Sequence, residues 1–90
     1  MKVFVISGLY QSEDCAFNIT GSVYKNLESA KNDLKEIIKE IKEDFKKNEI
    51  EIYKEIEMQN VGDIIKGYKI ITDYDYIYEY MIIEREIKWR

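Results

Sequence analysis

A single apolar stripe in the middle of the chain constrains the fold more than any other feature. Its members recur mostly at intervals of three and four residues, which is the spacing of one face of an α-helix. They are Leu27, Ala30, Leu34, Ile37, Ile38, Ile41 and Phe45. Asn26 is a good N-cap, and Glu28 at the start and Lys46 at the end suit the helix dipole. We predict an amphipathic helix over about 27–47 that packs on a sheet, and we favour this over a partner-binding helix.

The segments before the helix alternate as β-strands do. Residues 2–10 are apolar on both faces, as in a central strand that is covered on both sides. The second strand carries Phe17, Ile19 and Val23, and we expect it to be half-buried and antiparallel to the first. Gly21 marks a bulge or a close approach of two backbones.

The segments after the helix predict three more strands. In the first, Ile50, Ile52, Ile56 and Met58 point to the core, and the intervening acidic residues point to water. The pattern leaves Gln59–Lys66 open between turn, strand and helical turn. Asp73, Tyr74 and Asp75 then form a tight reversal into a final strand, over about 76–87.

The predicted fold class is therefore α+β, with one domain over residues 1–90. Its antiparallel sheet has the element order β-β-α-β-β-β, and one long amphipathic helix packs on one face. Ninety residues are enough for one domain and too few for two.

Composition excludes several classes of function. Fourteen basic against eighteen acidic residues give a net charge of −4, which makes nucleic-acid binding an unfavourable hypothesis. The chain has no histidine and a single cysteine, Cys15. It therefore lacks the residues of nucleophilic triads and of Cys/His zinc sites. We predict a protein that is not an enzyme and has no cofactor and no metal.

Residue usage also bears on location and origin. No apolar run reaches the length of a membrane span, the apolar start ends too early at Ser7 for a signal peptide, and a lone cysteine fits a reducing compartment. We expect a cytoplasmic protein without a membrane partner. Sixteen isoleucines, twelve lysines and no proline indicate an A/T-rich genome, such as that of a low-G+C bacterium or its phage.

Two segments in the first half form a familiar pattern. They are Val3-Phe4-Val5-Ile6-Ser7 and Gly21-Ser22-Val23-Tyr24-Lys25-Asn26-Leu27-Glu28-Ser29-Ala30-Lys31. A strand, a polar hairpin, a strand ending in an aromatic residue and a helix that opens with Leu-Glu-x-Ala-Lys follow one another. In this the chain resembles small uncharacterised bacterial and phage proteins of ββα type. Those proteins have no established activity, so the resemblance implies no catalytic residues.

Tyrosine is the one unusual residue of the second half. Five of the eight tyrosines lie between Tyr68 and Tyr80. Four of them share one parity, so an extended strand projects them from one face. They are Tyr74, Tyr76, Tyr78 and Tyr80. The opposite parity, from Ile77 to Ile87, is expected to be the core face.

Tyrosine is enriched at protein interfaces, but it is also a good strand residue in its own right. The leading hypothesis is a small interaction protein, encoded by a phage or mobile element, that inhibits or modulates a host protein. Its predicted contact residues are the four tyrosines with Asp73, Asp75 and Glu84. The same face offers a homodimer contact in a homo-oligomeric structural module.

A second hypothesis, from another class, is a binder that sequesters a nucleotide or signalling molecule. Tyrosine rings such as Tyr68 would stack on the base, and Lys66, Lys69 or Arg85 would meet phosphate.

Overall fold

The computed structural model describes residues 1–12, 15–73 and 75–87, and of residues 17–20 it describes the backbone alone. One helix and five strands follow in the predicted order. They are β1 (Lys2–Gln11), β2 (Ala16–Tyr24), α1 (Leu27–Lys47), β3 (Ile52–Val61), β4 (Ile64–Thr72) and β5 (Ile77–Glu86). The strands form one antiparallel sheet, so the predicted α+β fold is confirmed.

Helix α1 has the predicted bounds, cap and buried stripe. The side-chain oxygen of Asn26 accepts hydrogen bonds from the backbone N–H groups of Glu28 and Ser29, at 2.7 and 3.4 Å, which satisfies donors that the first turn leaves free. Four residues of the stripe are buried, at intervals that keep them on one side of the helix. They are Ala30, Leu34, Ile38 and Phe45.

The strands lie in the order β2-β1-β5-β4-β3, so the last strand of the chain is the middle strand of the sheet. Strand β1 pairs with β5 without a shift of register from Lys2–Glu86 to Gln11–Ile77. The prediction that the first strand is covered on both sides is wrong, because the one described helix lies on a single face. That helix packs over β2, β1 and β5.

Two bulges change which side chains face the helix. One shifts the β1–β2 register between Val5 and Ser7, beside Gly21, where an added Cβ would overlap the carbonyl oxygen of Ile6. The predicted close approach at Gly21 is thereby confirmed. Beyond it Val23 is 61% exposed, whereas Tyr24 packs against the core. The expectation that Val23 lies on a buried face is wrong for this reason.

The second bulge lies in β3, between Ile52 and Lys54. Ile52 packs against the helix side of the sheet, but the extra residue reverses the parity of everything after it. Ile56 and Met58 therefore pair with Lys69 and Gly67 on the other face. The prediction that all four apolar residues of this segment face one core is wrong for these two.

Connections after β3 are short. Residues 59–66, which the pattern left open, form two strands joined at Gly62 and Asp63, and Gly62 has φ +59°, a conformation that glycine adopts without strain. Thr72 and Tyr76 enclose the next reversal. The amide of Thr72 donates to the carbonyl of Tyr76 at 3.0 Å, and the Tyr76 amide donates to the Thr72 hydroxyl at 3.2 Å.

The hydrophobic core lies between α1 and the sheet. Ile6 of β1, Ile82 of β5 and Ile70 of β4 are 1%, 0% and 1% exposed, and they form one cluster with the buried helix residues. Burying such side chains contributes roughly 1.5–3 kcal/mol each.

Candidate interaction surface

The predicted tyrosine surface is not on the side of the sheet away from the core. Tyr78 and Tyr80 share the parity of Ile82 and pack against the core cluster beneath the helix. The Tyr78 ring lies edge-on to Phe45, with centroids 5.1 Å apart. Burial raises the pKa of both phenols. The prediction that these rings gather away from the hydrophobic interior is therefore wrong for Tyr78 and Tyr80.

The other described residues of that prediction lie near the two opposite ends of β5. Tyr76 is half-buried, and its ring centroid lies 6.2 Å from that of Tyr10. Asp73 and Asp75 are exposed in the reversal before β5. Glu84 lies near the opposite end of β5, beside Phe4 of β1, and forms an ion pair of 3.7 Å with Lys2. Tyr74 lies outside the described residues. As contact residues for a partner, all of them stay a prediction.

The ligand-binding alternative requires four side chains that the sheet does not bring together. Lys66 and Tyr68 lie on the helix side and line a common cleft. Lys69 pairs with Glu79, whose parity on β5 places both on the opposite face. Arg85 lies at the end of that opposite face and forms an ion pair of 3.3 Å with Asp63. The four residues therefore do not form one site.

The face opposite the helix, which we call the open face, is built from the alternate residues of β1, β5, β4 and β3. In the part of the chain that the structure describes, the helix covers only the other side. Four cross-strand rows make up the open face. They are Val5–Ile83–Ile64, Ser7–Met81–Gly67–Met58, Leu9–Glu79–Lys69–Ile56 and Gln11–Ile77–Ile71–Lys54.

Most side chains of the open face are apolar and half-buried. Isoleucine and methionine occupy all described positions of β5 on this face except Glu79 and the terminal Arg85. Cross-strand side chains on one face stand about 5 Å apart, so neighbours within the sheet cover part of each one. At one end Val3, opposite Arg85, is buried. The remaining apolar side chains of the face lie on both sides of the central row that contains Glu79 and Lys69.

The centre of the open face carries one charge of each sign. Lys69 of β4 and Glu79 of β5 are direct cross-strand neighbours, and both are half-buried. Beside them Gly67 has no side chain, and the methyl group of Met58 lies over it: a Cβ at Gly67 would come within 2.9 Å of Met58 Cε. The open face is thus mainly apolar, with a central charge pair and, beside that pair, a glycine that has no side chain.

A polar cluster lies on the helix side, where α1 leaves β3 and β4 uncovered. Lys42 Nζ is 2.6 Å from Glu55 Oε1 and donates to the Tyr68 hydroxyl at 3.1 Å, and that hydroxyl donates to Glu55 at 2.5 Å. The Glu55 hydrogen bond raises the pKa of Lys42, and the Lys42 hydrogen bond lowers the pKa of Glu55. Burial and the Glu55 carboxylate raise the pKa of Tyr68.

The described residues contain few other chemical features. Cys15 is exposed, with its sulfur 3.2 Å from the Ser12 hydroxyl. No three carboxylate or thiol side chains within the described ranges lie close enough together to hold a metal ion. The described helix is also not apolar enough to cross a membrane.

Comparison with known proteins adds no relative. No protein-family model, curated protein or solved structure matches the chain. Any functional argument therefore depends on the geometry of the chain's own surfaces.

Sequence reasoning missed the open face. The alternation of the sequence predicts instead that Val5, Leu9, Ile56 and Met58 lie on covered faces. The signal that could have found it is charge: on β5 the parity of Met81 also carries Glu79 and Arg85, whereas the tyrosine parity carries no charge from Tyr76 to Ile82. Charged residues are rarely buried without a partner, so the tyrosine parity was the better candidate for the helix side.

Proposed function

We propose that the protein is a non-enzymatic interaction protein whose docking surface is the open face, and that a second copy of the chain fills this surface. The observation that carries the proposal is a largely apolar sheet face that no described helix or strand covers. Soluble monomers rarely expose apolar patches of more than a few hundred Å², and larger ones mark interaction sites.

The size of the open face fits a stable pair. Four strands at about 4.8 Å spacing and four rows about 6.7 Å apart cover roughly 500 Å² of projected area. Two copies would therefore bury about 1,000 Å² or more, which is the lower bound of specific interfaces. Two sheets that pack face to face in this way form a sandwich with a core about 10 Å thick.

The pattern of residues favours a second copy as the occupant. In a two-fold pair each copy must offer the surface that complements itself. An axis along the strands, between β4 and β5, would set β5 of one copy over β4 of the other. Glu79 would then face Lys69 of the second copy near the axis, and Ile83 would face Ile64.

Charge supports the same occupant. The open face carries Glu79 and Lys69 at its centre, so it is neutral there although the chain has a net charge of −4. A partner with a strong charge of one sign would gain little from such a surface. A second copy would instead pair both charges and cover the apolar rows.

The proposal also includes modulation of a host protein, which would bind the same open face. Since Tyr78 and Tyr80 pack in the core, the docking surface for any partner moves to the open face. A cytoplasmic location also belongs to the proposal, and the free thiol of Cys15 supports it because reducing compartments keep thiols unpaired.

Light scattering coupled to size-exclusion chromatography tests the proposal. We expect the native protein to elute with twice the mass of the chain at micromolar concentration. Met81→Lys places a charge near the proposed axis and should give monomers. Gln59→Lys adds the same charge to an exposed helix-side position of β3 and should leave the mass unchanged.

Charge reversal tests the identity of the occupant. Lys69→Glu alone sets like charges against each other and should weaken the pair about tenfold or more, because like charges at an interface cost several kcal/mol. The double variant with Glu79→Lys restores opposite charges and should recover the dimer. A native protein that stays monomeric at several hundred micromolar would overturn self-association.

A further inference from the structure

A cleft lies on the helix side of the sheet, away from the open face. Because α1 packs over β2, β1 and β5, its flank and the helix-side residues of β4 and β3 form two walls. The cleft has a volume of about 230 Å³, and we call it the lysine cleft. It is lined by Lys31, Leu34, Lys35, Ile38, Lys42, Glu57, Lys66 and Tyr68.

The lysine cleft has an excess of positive charge in an acidic protein. Lys42 is neutralised by Glu55. Lys31, Lys35 and Lys66 form no ion pair within the described residues, and Glu57 is the one carboxylate of the lining. Three ammonium groups against one carboxylate leave this cleft positive, although the chain carries −4.

The fold brings these three lysines together from two elements, α1 and β4. Lys31 and Lys35 lie four residues apart on one flank of α1, so their side chains project side by side. Lys66 approaches from β4, opposite Ile82 on the helix side of β5. Lys31 and Lys66 are half-buried, so part of each side chain packs against neighbouring residues of the cleft and limits where its ammonium group can lie.

The chemistry of the lining selects the class of ligand. Lysine binds phosphate as a point charge, whereas planar carboxylates are recognised in two-point fashion by arginine, and the lining contains no arginine. The volume is below the roughly 300–1,000 Å³ of sites for drug-sized ligands. Leu34 and Ile38 add an apolar floor.

We propose that the lysine cleft binds a small phosphate-bearing anion, held by the ammonium groups of Lys31, Lys35 and Lys66. The Lys42–Glu55–Tyr68 cluster closes one end and keeps Lys42 directed at its own carboxylate. The cleft and the open face lie on opposite sides of the sheet, so binding here does not depend on self-association.

Isothermal titration calorimetry with inorganic pyrophosphate and with ADP tests the site. We expect both probes to bind, and binding to weaken as salt is raised because surface charge attraction is screened. The variant Lys35→Gln with Lys66→Gln should lower affinity at least about tenfold, since each hydrogen bond to a charged group contributes on that order. Tighter binding of ADP than of pyrophosphate would place the organic part on the apolar floor.

The matched control is Lys46→Gln with Lys47→Gln, which removes the same two positive charges from the exposed end of α1, outside the lining. It should lower affinity less than about twofold, since distant surface charges are screened. Circular dichroism establishes that each variant is folded. Absence of binding to both probes, or equal losses of affinity in the control variant and in the cleft variant, would overturn the proposal.

Discussion

The two faces of the sheet carry similar apolar residues but differ in how deeply those residues are buried. Ile82 and Ile83 are neighbours on β5, yet Ile82 is fully buried under α1 and Ile83 is half-buried on the open face. On the covered face Tyr78 and Tyr80 pack against the core beside the helix, and on the open face most of the side chains are isoleucine, methionine or other apolar residues. Apolar character alone therefore does not identify a core, because burial depends on the layer across from it.

The largest expected effect comes from truncating one residue on each face. Ile82→Ala leaves a cavity beneath α1 and should lower the free energy of unfolding by about 2–5 kcal/mol. Ile83→Ala removes a side chain that has no layer above it in a monomer, so it should cost less, about 1 kcal/mol. Urea denaturation at a concentration where the protein is monomeric measures both. Equal losses would show that the open face is covered within one chain.

A smaller effect is expected from replacing a strand glycine by alanine, at Gly21 and at Gly67. Gly21→Ala forces a Cβ into the carbonyl oxygen of Ile6, which is backbone and cannot turn aside, so we expect a loss of about 1–3 kcal/mol. On the open face, the added Cβ of Gly67→Ala would come too close only to the flexible end of Met58, at 2.9 Å, and would make ordinary contacts of 3.5 Å with Ile64 Cγ2 and Met58 Cβ. It should change stability by less than about 1 kcal/mol, since alanine also lowers the entropy cost of a strand glycine. Thermal unfolding of the two variants checks the order.

The smallest effect concerns the polar cluster at the margin of the covered face. The lowered pKa of Glu55 means that its contribution is full above its ordinary value of 4.5 and is lost as pH falls through the lowered value. The raised pKa of Lys42 means that its contribution is full below 10.5 and is lost as pH rises further. Both side chains are more than a third exposed, so the pair contributes under about 1 kcal/mol.

Glu55→Gln should therefore reduce stability by that small amount across neutral pH, and the difference from the native protein should vanish once the pH lies below the lowered pKa of Glu55. Denaturation at a series of pH values measures it. Glu51→Gln, at an exposed position without an ion pair in the described part of the chain, provides the control and should show no such dependence. A difference that persists at low pH would mean that Glu55 stabilises the fold without its charge.

The helix could be predicted because its signals come from residues that are close together in the chain. The stripe from Leu27 to Phe45, the Asn26 cap and the charges at both ends act within a few turns, so they can be recognised without knowing what lies nearby. Gly21 was recognisable for the same reason, since a glycine inside a strand has few local causes.

The faces of the strands could not be assigned in this way. A bulge of one residue moves every following side chain to the other face, and the bulge between Ile52 and Lys54 has no glycine to mark it. On β5 both sets of alternate residues are rich in apolar or aromatic side chains, so alternation alone does not decide which set faces the helix. The sequence pattern predicts that the tyrosines face away from it, and this prediction is wrong for Tyr78 and Tyr80.

The amino-acid sequence by itself determined the element order, the helix with its cap and buried stripe, and the absence of histidine that removes whole classes of chemistry. The tertiary structure alone decided which side of each strand lies under the helix and which lysines meet across the cleft. The physical reason is that helix periodicity and capping act between residues close in the chain. The covered side of a sheet is set by contacts between segments far apart, and a one-residue bulge reverses it.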